Sequence, residues 1–328
     1  MSTKMLIDAA DHAMHGKRYH TAALYLEQLL GWHVLNRSER KRLQRMYCIA
    51  MEAIQYRMQE RGWYDLVHLP RKCLQKQKKV LLTITTCRRL AHFLTSFSSF
   101  LHCCADFYLI DAVFIVDDNS SQEDRQKMQN MLPWCTFYFK TPEQRGHGVS
   151  MEIIRQEAMQ YKYWVQMEDD WLFVQRCNMI KPAIELMKRY PFVANVQFAR
   201  MYAEYLSLFD YDLVGSTYLD RIGPAEFELH QYSPLGSEEQ LEKVRHHGEL
   251  AKYCHWPHFS LRPGVIKTSV LKELGPFSQE NCEFEYAYRY MKAGYKTAYF
   301  SDILYHNIGK GRWNDTESNA YQLNKTDK

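Results

Sequence analysis

The sequence predicts an α/β sheet with helices on both faces, preceded by a helical region. Three observations carry this. Apolar runs of strand length at residues 80–85, 112–116, 137–139 and 163–167 alternate with stretches of helical length. The first run, Val80-Leu81-Leu82-Thr83-Ile84-Thr85, is continuously apolar or β-branched, as a parallel strand buried on both faces requires. Ahead of it, Leu43, Met46, Tyr47, Ala50, Ile54 and Met58 recur at three- and four-residue steps and line up one apolar helical face. The 328 residues have room for two units, placed at 1–75 (helical) and 76–328 (α/β).

Taken in chain order, Ala9, Ala13, Gly16, Tyr19, Ala22 and Leu26 suggest two short helices meeting at Gly16. The spacing is weakly tetratricopeptide-like, but one such unit cannot bury its own face, so a helical cap on the next unit is expected. Ser38 is a candidate N-cap for the helix that follows. Gly62, Pro70 and the run Lys76-Gln77-Lys78-Lys79 read as a break and a solvated linker. Beyond it, helices are expected over 90–104 and 149–161, and a late strand over 298–304. The N-terminal helices are candidates for docking a protein partner, orienting an acceptor or covering the sheet edge.

Composition narrows the function classes. With 46% hydrophobic and 24% charged residues the chain is globular, neither disordered nor fibrous. A formal net charge of +4, without a strongly basic segment, gives no footprint for a nucleic-acid partner. The 9 cysteines are odd in number and irregularly spaced, and Cys103-Cys104 lacks Cys-x-x-Cys geometry. They are read as reduced, buried thiols of a soluble, cytoplasmic protein. Residues 1–10 lack the basic-then-apolar layout of a signal peptide. The most apolar stretch, 94–116, is interrupted by His102, Asp106 and Asp111, so no integral membrane segment is expected.

In open α/β sheets ligands bind at the carboxyl ends of the strands, and that is where this sequence puts its acids. The second strand runs into Asp117-Asp118-Asn119-Ser120-Ser121 and the fourth into Glu168-Asp169-Asp170-Trp171. Acids clustered at a sheet edge repel unless a cation or a donor-rich ligand neutralises them. In an extended segment residues two apart share a side, so Glu168 and Asp170 face one way and Asp169 the other. Such a pair suits a hard divalent ion, bound by one or two oxygens with positions left for phosphate and water. Turn chemistry explains much of the 117–121 stretch, but explains the two clusters together poorly.

Ile84-Thr85-Thr86, Val116-Asp117-Asp118-Asn119-Ser120-Ser121, Arg145-Gly146-His147-Gly148 and Glu168-Asp169-Asp170-Trp171 follow one another in an order that resembles the GT-A fold nucleotide-sugar glycosyltransferases. More narrowly, they resemble the large inverting family with a V-D-D-x-S motif. The resemblance covers residues 79–309 and leaves out the helical region. It implies a GT-A type, Rossmann-like, mostly parallel sheet, a nucleotide-sugar donor (UDP-linked above others) and a carbohydrate or glycoconjugate acceptor. It also implies donor contacts from Thr85, from Asp117 or Asp118 (Asp118 to the base), from Arg145 and from Asp169. Asp170 would ligate Mn2+ or Mg2+. The family's D-x-D is here Glu168-Asp169-Asp170, which leaves the first acidic role to Glu168 or Asp169. Gly146 and Gly148 would let backbone approach a ligand, or would mark an ordinary turn.

Further matches lie in the second half, where Glu280-Asn281-Cys282-Glu283-Phe284-Glu285 precedes Tyr288-Arg289 and Gly294-Tyr295-Lys296. Aligning on these implies Glu283 as general base, where the family pattern more often has Asp, with Glu285 the runner-up. Both also suit the first turn of a helix, whose dipole favours acids. His306 resembles a late metal or diphosphate contact of some GT-A enzymes. Lys310 and Arg312 follow it, as a diphosphate clamp or a basic tail on a Gly-rich loop that closes on donor. Trp171 is a candidate stacking ring for the donor sugar, and Trp256 and Trp313 are weaker ones; burial in the core is the alternative for each.

The function these readings imply is metal-dependent transfer of a sugar to an acceptor hydroxyl, with inversion and with Glu283 as base. Two alternatives stand beside it. A nucleotidyltransferase would want glycine in the loop Thr86-Cys87-Arg88-Arg89, which has none. The other is a helical interaction scaffold joined to an inactive α/β unit.

Overall fold

The computed structural model describes residues 3–30, 38–39, 42–43, 45–47, 49–50, 53, 78–199, 213–232, 258–279, 282–302 and 304–309. The strands are β1 (Val80–Thr86), β2 (Ala112–Asp117), β3 (Thr136–Phe139), β4 (Tyr163–Glu168), β5 (Trp171–Phe173), β6 (Val193–Gln197), β7 (Leu213–Ile222), β8 (Ala225–Tyr232), β9 (Gly264–Lys267), β10 (Lys296–Phe300) and β11 (Tyr305–Asn307). Nine of them form one mixed sheet in the order β3-β2-β1-β4-β9-β6-β10-β8-β7. The half from β3 to β4 is parallel, β9 runs antiparallel between β4 and β6, and β10 pairs parallel with β6. The outer hairpin β7–β8 is antiparallel. This is an α/β architecture, as the alternation of runs predicts.

Among the described residues the helices are α1 (Thr3–His15), α2 (Tyr19–Leu30), α3 (Leu90–Cys103), α4 (Gln122–Met131), α5 (His147–Ala158), α6 (Ile180–Arg189), α7 (Thr268–Leu274) and α8 (Cys282–Lys292), of which α3 to α8 supply the cover of the large sheet's two faces. Leu82, Ile84, Val113, Ile115, Val165 and Met167 point to one side and pack with α3, α4 and α6. Their neighbours Leu81, Phe114, Val116 and Trp164 point to the other and pack with α5, α7 and α8. That is the period of two expected of strands buried on both faces. In α3, Phe93, Phe97 and Phe100 share one buried face, each ring contributing roughly 2 kcal/mol by removal from water. Ser121 caps α4, accepting from the backbone N–H of Asp124 at 3.1 Å.

A second, two-stranded sheet joins β5 to β11, with Tyr305 beside Phe173, His306 beside Leu172 and Asn307 beside Trp171. The helical layer docks on it. Leu6, Ala10, Ala13, Ala22, Ala23, Leu26 and Leu29 form one core that takes in Leu172, with Val174 and Ile308 packed against it. The expected cap is therefore present, and what it covers is the β5–β11 pair.

Several boundaries differ from expectation. The turn at Gly16 falls between α1 and α2 as predicted. Ser38 is already within helical backbone, so it is not an N-cap, while Leu43, Tyr47 and Ala50 are buried as the periodicity requires. Ile54, Met58, Gly62 and Pro70 lie outside the described residues. The expected strand over 298–304 starts earlier and stops at Phe300, as β10, and β11 begins only at Tyr305, because the chain leaves the large sheet to join β5. Cys103, Cys104 and Cys282 are buried and form no disulfide, and burial pushes the Cys103 thiol up to about 12, which makes it unreactive. Among the described residues no helix is long and apolar enough to cross a membrane.

Candidate functional site

The parallel strands deliver their carboxyl ends to one edge. Register places Thr85 beside Val116 and Glu168, and Thr86 beside Asp117. Two tight turns then shape the edge, with Arg88 at φ 53° and Asn119 at φ 66°. Asn adopts this left-handed conformation readily; Arg does not, at a cost of order 1 kcal/mol. The turns brace each other, since the Arg88 backbone N–H donates to Ser120 Oγ at 2.9 Å and Arg88 Nε donates to the Asn119 carbonyl at 2.8 Å.

Each acid of the second strand end has a basic partner. Asp117 Oδ2 accepts from Arg125 Nε at 2.7 Å and from the Ser120 N–H at 3.2 Å, while Asp117 Oδ1 is buried without a hydrogen-bond partner. Burial is the main influence on Asp117 and raises its pKa despite these donors. Asp118 Oδ2 accepts from the Gly146 N–H at 2.9 Å and pairs with Lys140 Nζ at 3.0 Å, and Asp118 Oδ1 accepts from Asn119 Nδ2 at 2.8 Å. The Lys140 ammonium, fully buried, also donates to the Gly146 carbonyl at 2.8 Å and to Ser150 Oγ at 2.9 Å. Asp118 thus ties β2 to the loop that starts α5, which bears on its expected contact with the donor base.

The fourth strand end is arranged differently. Asp169 is buried, and its Oδ2 accepts from Thr86 Oγ1 at 2.9 Å and the Cys87 N–H at 3.2 Å. Its Oδ1 takes a charge-assisted bond from Arg89 Nη2, whose sister Nη1 reaches Asp170 Oδ2 at 3.4 Å. Asp170 Oδ1 is buried and has no hydrogen-bond partner. Glu168 Oε2 accepts from Trp171 Nε1 at 3.3 Å. Burial pushes Glu168 up to about 8, with the Asp170 and Glu283 charges adding to it. Asp169 is pushed up to about 6 by burial, against the pull of Arg89. Crowded acids with raised proton affinity are a site short of positive charge.

Glu283 completes the group, near enough for its charge to act on Glu168. It lies in the first turn of α8, and its Oε1 accepts from Ser260 Oγ at 2.7 Å and from the Leu261 N–H at 2.7 Å. Burial raises its pKa, opposed by those two donors and by Arg262. The loop holding it is fixed in turn, because Asn195 Nδ2 and Gln197 Nε2 of β6 donate to the Ser260 carbonyl at 3.2 and 3.1 Å. Glu285 is two residues on, about 200° around the helix, so the two acids point to different sides. Only Glu283 faces Ser260 and the field of Glu168.

Other expected site residues are placed as follows. Arg145 is exposed at the end of a short 3-10 turn, Pro142–Gln144. Gly146 has φ 113° and open space around it, but Gly148 makes its close approach to the chain's own backbone: a Cβ there would lie 2.5 Å from the carbonyls of Ser278 and Gln279. Trp171 is core and not an open stacking face, being 3% exposed and edge-on to Tyr305 at 4.8 Å. His306 is buried beside Leu172, with its ring 6.3 Å from that of Tyr47 in the helical layer. Glu168, Asp170 and His306 do not assemble as a trio; among the described residues no three His, Cys, Asp or Glu side chains are grouped to hold a metal ion. Trp256, Lys310, Arg312 and Trp313 lie outside the described residues.

A divalent ion was expected here. The donor set fits one held by few protein oxygens, given the unpartnered Asp170 Oδ1 and the excess of negative charge around it. Three residues of the site had no role assigned from sequence. Arg89 is the cation of the Asp169–Asp170 corner, and Lys140 that of Asp118. His147 opens α5 in the field of Asp118 and Asp170; burial and the Lys140 charge push it down to about 4, so it is neutral imidazole at neutral pH. His147 sits inside the Arg145-Gly146-His147-Gly148 motif, which was its only sequence signal.

No protein-family profile and no curated protein matches the chain. Among solved structures, it is similar to a mannosyltransferase of Pyrobaculum calidifontis in complex with GDP-Man and Mn2+, at 14% identity and a TM-score of 0.45 over 80% of this chain and 68% of that one. Similar too is GalNAc-T7 with UDP, GalNAc and Mn2+, at 15% identity and a TM-score of 0.42, over 76% and 50%. Residues 1–349 of TarS from S. aureus give 13% identity and a TM-score of 0.43, over 69% and 59%. The chain thus spans between half and about two thirds of the length of these proteins.

Proposed function

We propose that the chain is a glycosyltransferase that moves a sugar from a nucleotide-diphosphate donor, UDP-linked by the strand-end motif, to an acceptor hydroxyl with inversion. One observation carries this reading. A carboxylate fixed by two donors, Glu283, faces an acid-rich strand end whose Asp170 keeps one buried oxygen without a partner. The first is what a general base needs, namely a held position and raised proton affinity. The second is what a cation-bound diphosphate would relieve.

In this reading Asp170, with Glu168 beside it, holds Mn2+ or Mg2+, which when bound offsets the charge that grows on the departing diphosphate. Thr85, half-buried next to Glu168, and Asp117, through Oδ1, contact the nucleoside. Arg145, exposed on its turn, pairs with phosphate oxygens. Asp118 and Asp169 act mainly by holding Lys140, Gly146, Thr86 and Arg89 in place. Glu283 takes the acceptor proton on Oε2, because Oε1 is already engaged by Ser260 and Leu261.

Calorimetric titration of UDP with and without Mn2+, on the native chain and on Asp170→Asn and Glu283→Gln, tests this. Metal-dependent binding should be lost in Asp170→Asn and kept in Glu283→Gln, while Glu283→Gln transfers no sugar. In the native chain kcat/KM should fall on the acid side at a pH above 4.5, since burial raises Glu283 from that value. Normal turnover by Glu283→Gln would remove it as base, and the absence of any UDP binding by the native chain would end the donor assignment.

A further inference from the structure

Asp170 is touched from above by the chain's own late segment. The backbone N–H of Ile308 donates to the Asp170 carbonyl at 2.8 Å, extending the β5–β11 pairing by one step. Next comes Gly309, and a Cβ on it would lie 2.3 Å from both Asp170 Cβ and Asp170 Oδ2. No side chain other than hydrogen fits there without moving the carboxylate. Of the two oxygens Oδ2 is the one nearest Gly309, and it also meets Arg89, while Oδ1 is the oxygen without a hydrogen-bond partner.

The segment that presses on Asp170 is anchored from its far side. His306 lies beside Leu172 with its ring against Tyr47, and Ile308 packs with the core formed by α1, α2 and Leu172. Leu304 accepts from the Val174 N–H at 3.0 Å, which closes the other end of the strand pair.

We propose that Gly309 is a positioning residue for Asp170, and that the helical layer keeps it in place through β11. The proposal rests on Asp170 being the metal-holding acid. The N-terminal helices then belong to the donor site without touching the donor. Their packing sets β11, β11 sets Gly309, and Gly309 sets the rotamer that presents Oδ1.

The test measures Mn2+ affinity directly, by calorimetry and by the paramagnetic signal of free Mn2+, alongside metal-independent UDP affinity and thermal unfolding. Gly309→Ala should bind Mn2+ at least about tenfold more weakly, as outer contacts of metal ligands do when altered, with metal-free UDP affinity unchanged. Ile308→Ala keeps Gly309 but loosens its anchor, and should shift Mn2+ affinity in the same direction by less. Native Mn2+ affinity in folded Gly309→Ala and Ile308→Ala would overturn the positioning role and leave the donor reading standing. Absence of Mn2+ binding by the native chain would overturn both the positioning role and the reading of Asp170 as the metal-holding acid.

Discussion

Asp118 and Asp170 carry the same side chain, yet Asp118 has both oxygens engaged by protein donors and Asp170 keeps one buried oxygen unpartnered. Spacing cannot separate such cases, because the difference lies in what stands opposite each oxygen: Asn119, Gly146 and Lys140 for Asp118, but Arg89 on Oδ2 alone for Asp170. The same limit applies to Glu283 and Glu285, which one helical half-turn separates into different surroundings. His258 shows a residue-level consequence that can be measured. It sits at φ 63°, and burial, with Lys296 and His230 nearby, pushes it down to about 4 from an ordinary 6.5. The folded state keeps it neutral where an unfolded chain would protonate it. Stability is therefore intact above pH 6.5 and falls as pH drops toward 4. His258→Asn tolerates the left-handed backbone and has no titration, so its thermal midpoint should fall less steeply across that window. Parallel pH profiles for the two proteins would show that His258 is not responsible.

At the scale of elements, the site is a set of loops pinned by buried ion pairs. Lys140, at the end of β3, joins Asp118 after β2 to Gly146 and Ser150 of α5. Lys140→Met leaves Asp118 charged and short of its cation, a change that typically costs about 3–5 kcal/mol when both partners are buried. Urea unfolding should show a loss near the lower bound, since Gly146 and Asn119 still donate to Asp118. A loss under about 0.5 kcal/mol would mean the pair is no more than a surface bridge in energy. The strand runs 80–85, 112–116 and 163–167 are readable from composition because strands buried on both faces must be apolar throughout. That β10 stops at Phe300 and the chain pairs again only at β11, beyond 304, was not readable, since nothing local records that β5 offers an edge to pair with.

At the scale of the whole molecule, the helical layer and the sheet share a boundary through Leu172, Val174 and Ile308. Leu172 is fully buried at that boundary, in the strand that follows Asp170. Leu172→Ala should lower overall stability by about 2–5 kcal/mol, the range for a buried leucine whose cavity cannot fully collapse. Helical circular dichroism and tryptophan fluorescence should still report one coincident transition, at a lower denaturant concentration. Two separate transitions in the native chain would mean that the layer folds as an independent unit.

By itself the sequence determined the alternation of strands and helices, the acids at the ends of β2 and β4, and the apolar faces of the N-terminal helices. Each of these is a local pattern, set by burial on two faces, by turn chemistry or by helical period. Only the tertiary structure decided which acid is neutralised and which is left with an open oxygen. It alone brought Glu283, some 115 residues downstream, to face Glu168, turned Trp171 and His306 inward, and laid Gly309 on Asp170. Those outcomes depend on long-range pairing, the addition of β11 to β5 and the docking of a helical layer behind them. Charge balance and close packing are properties of what meets in space, and one-dimensional spacing does not record them.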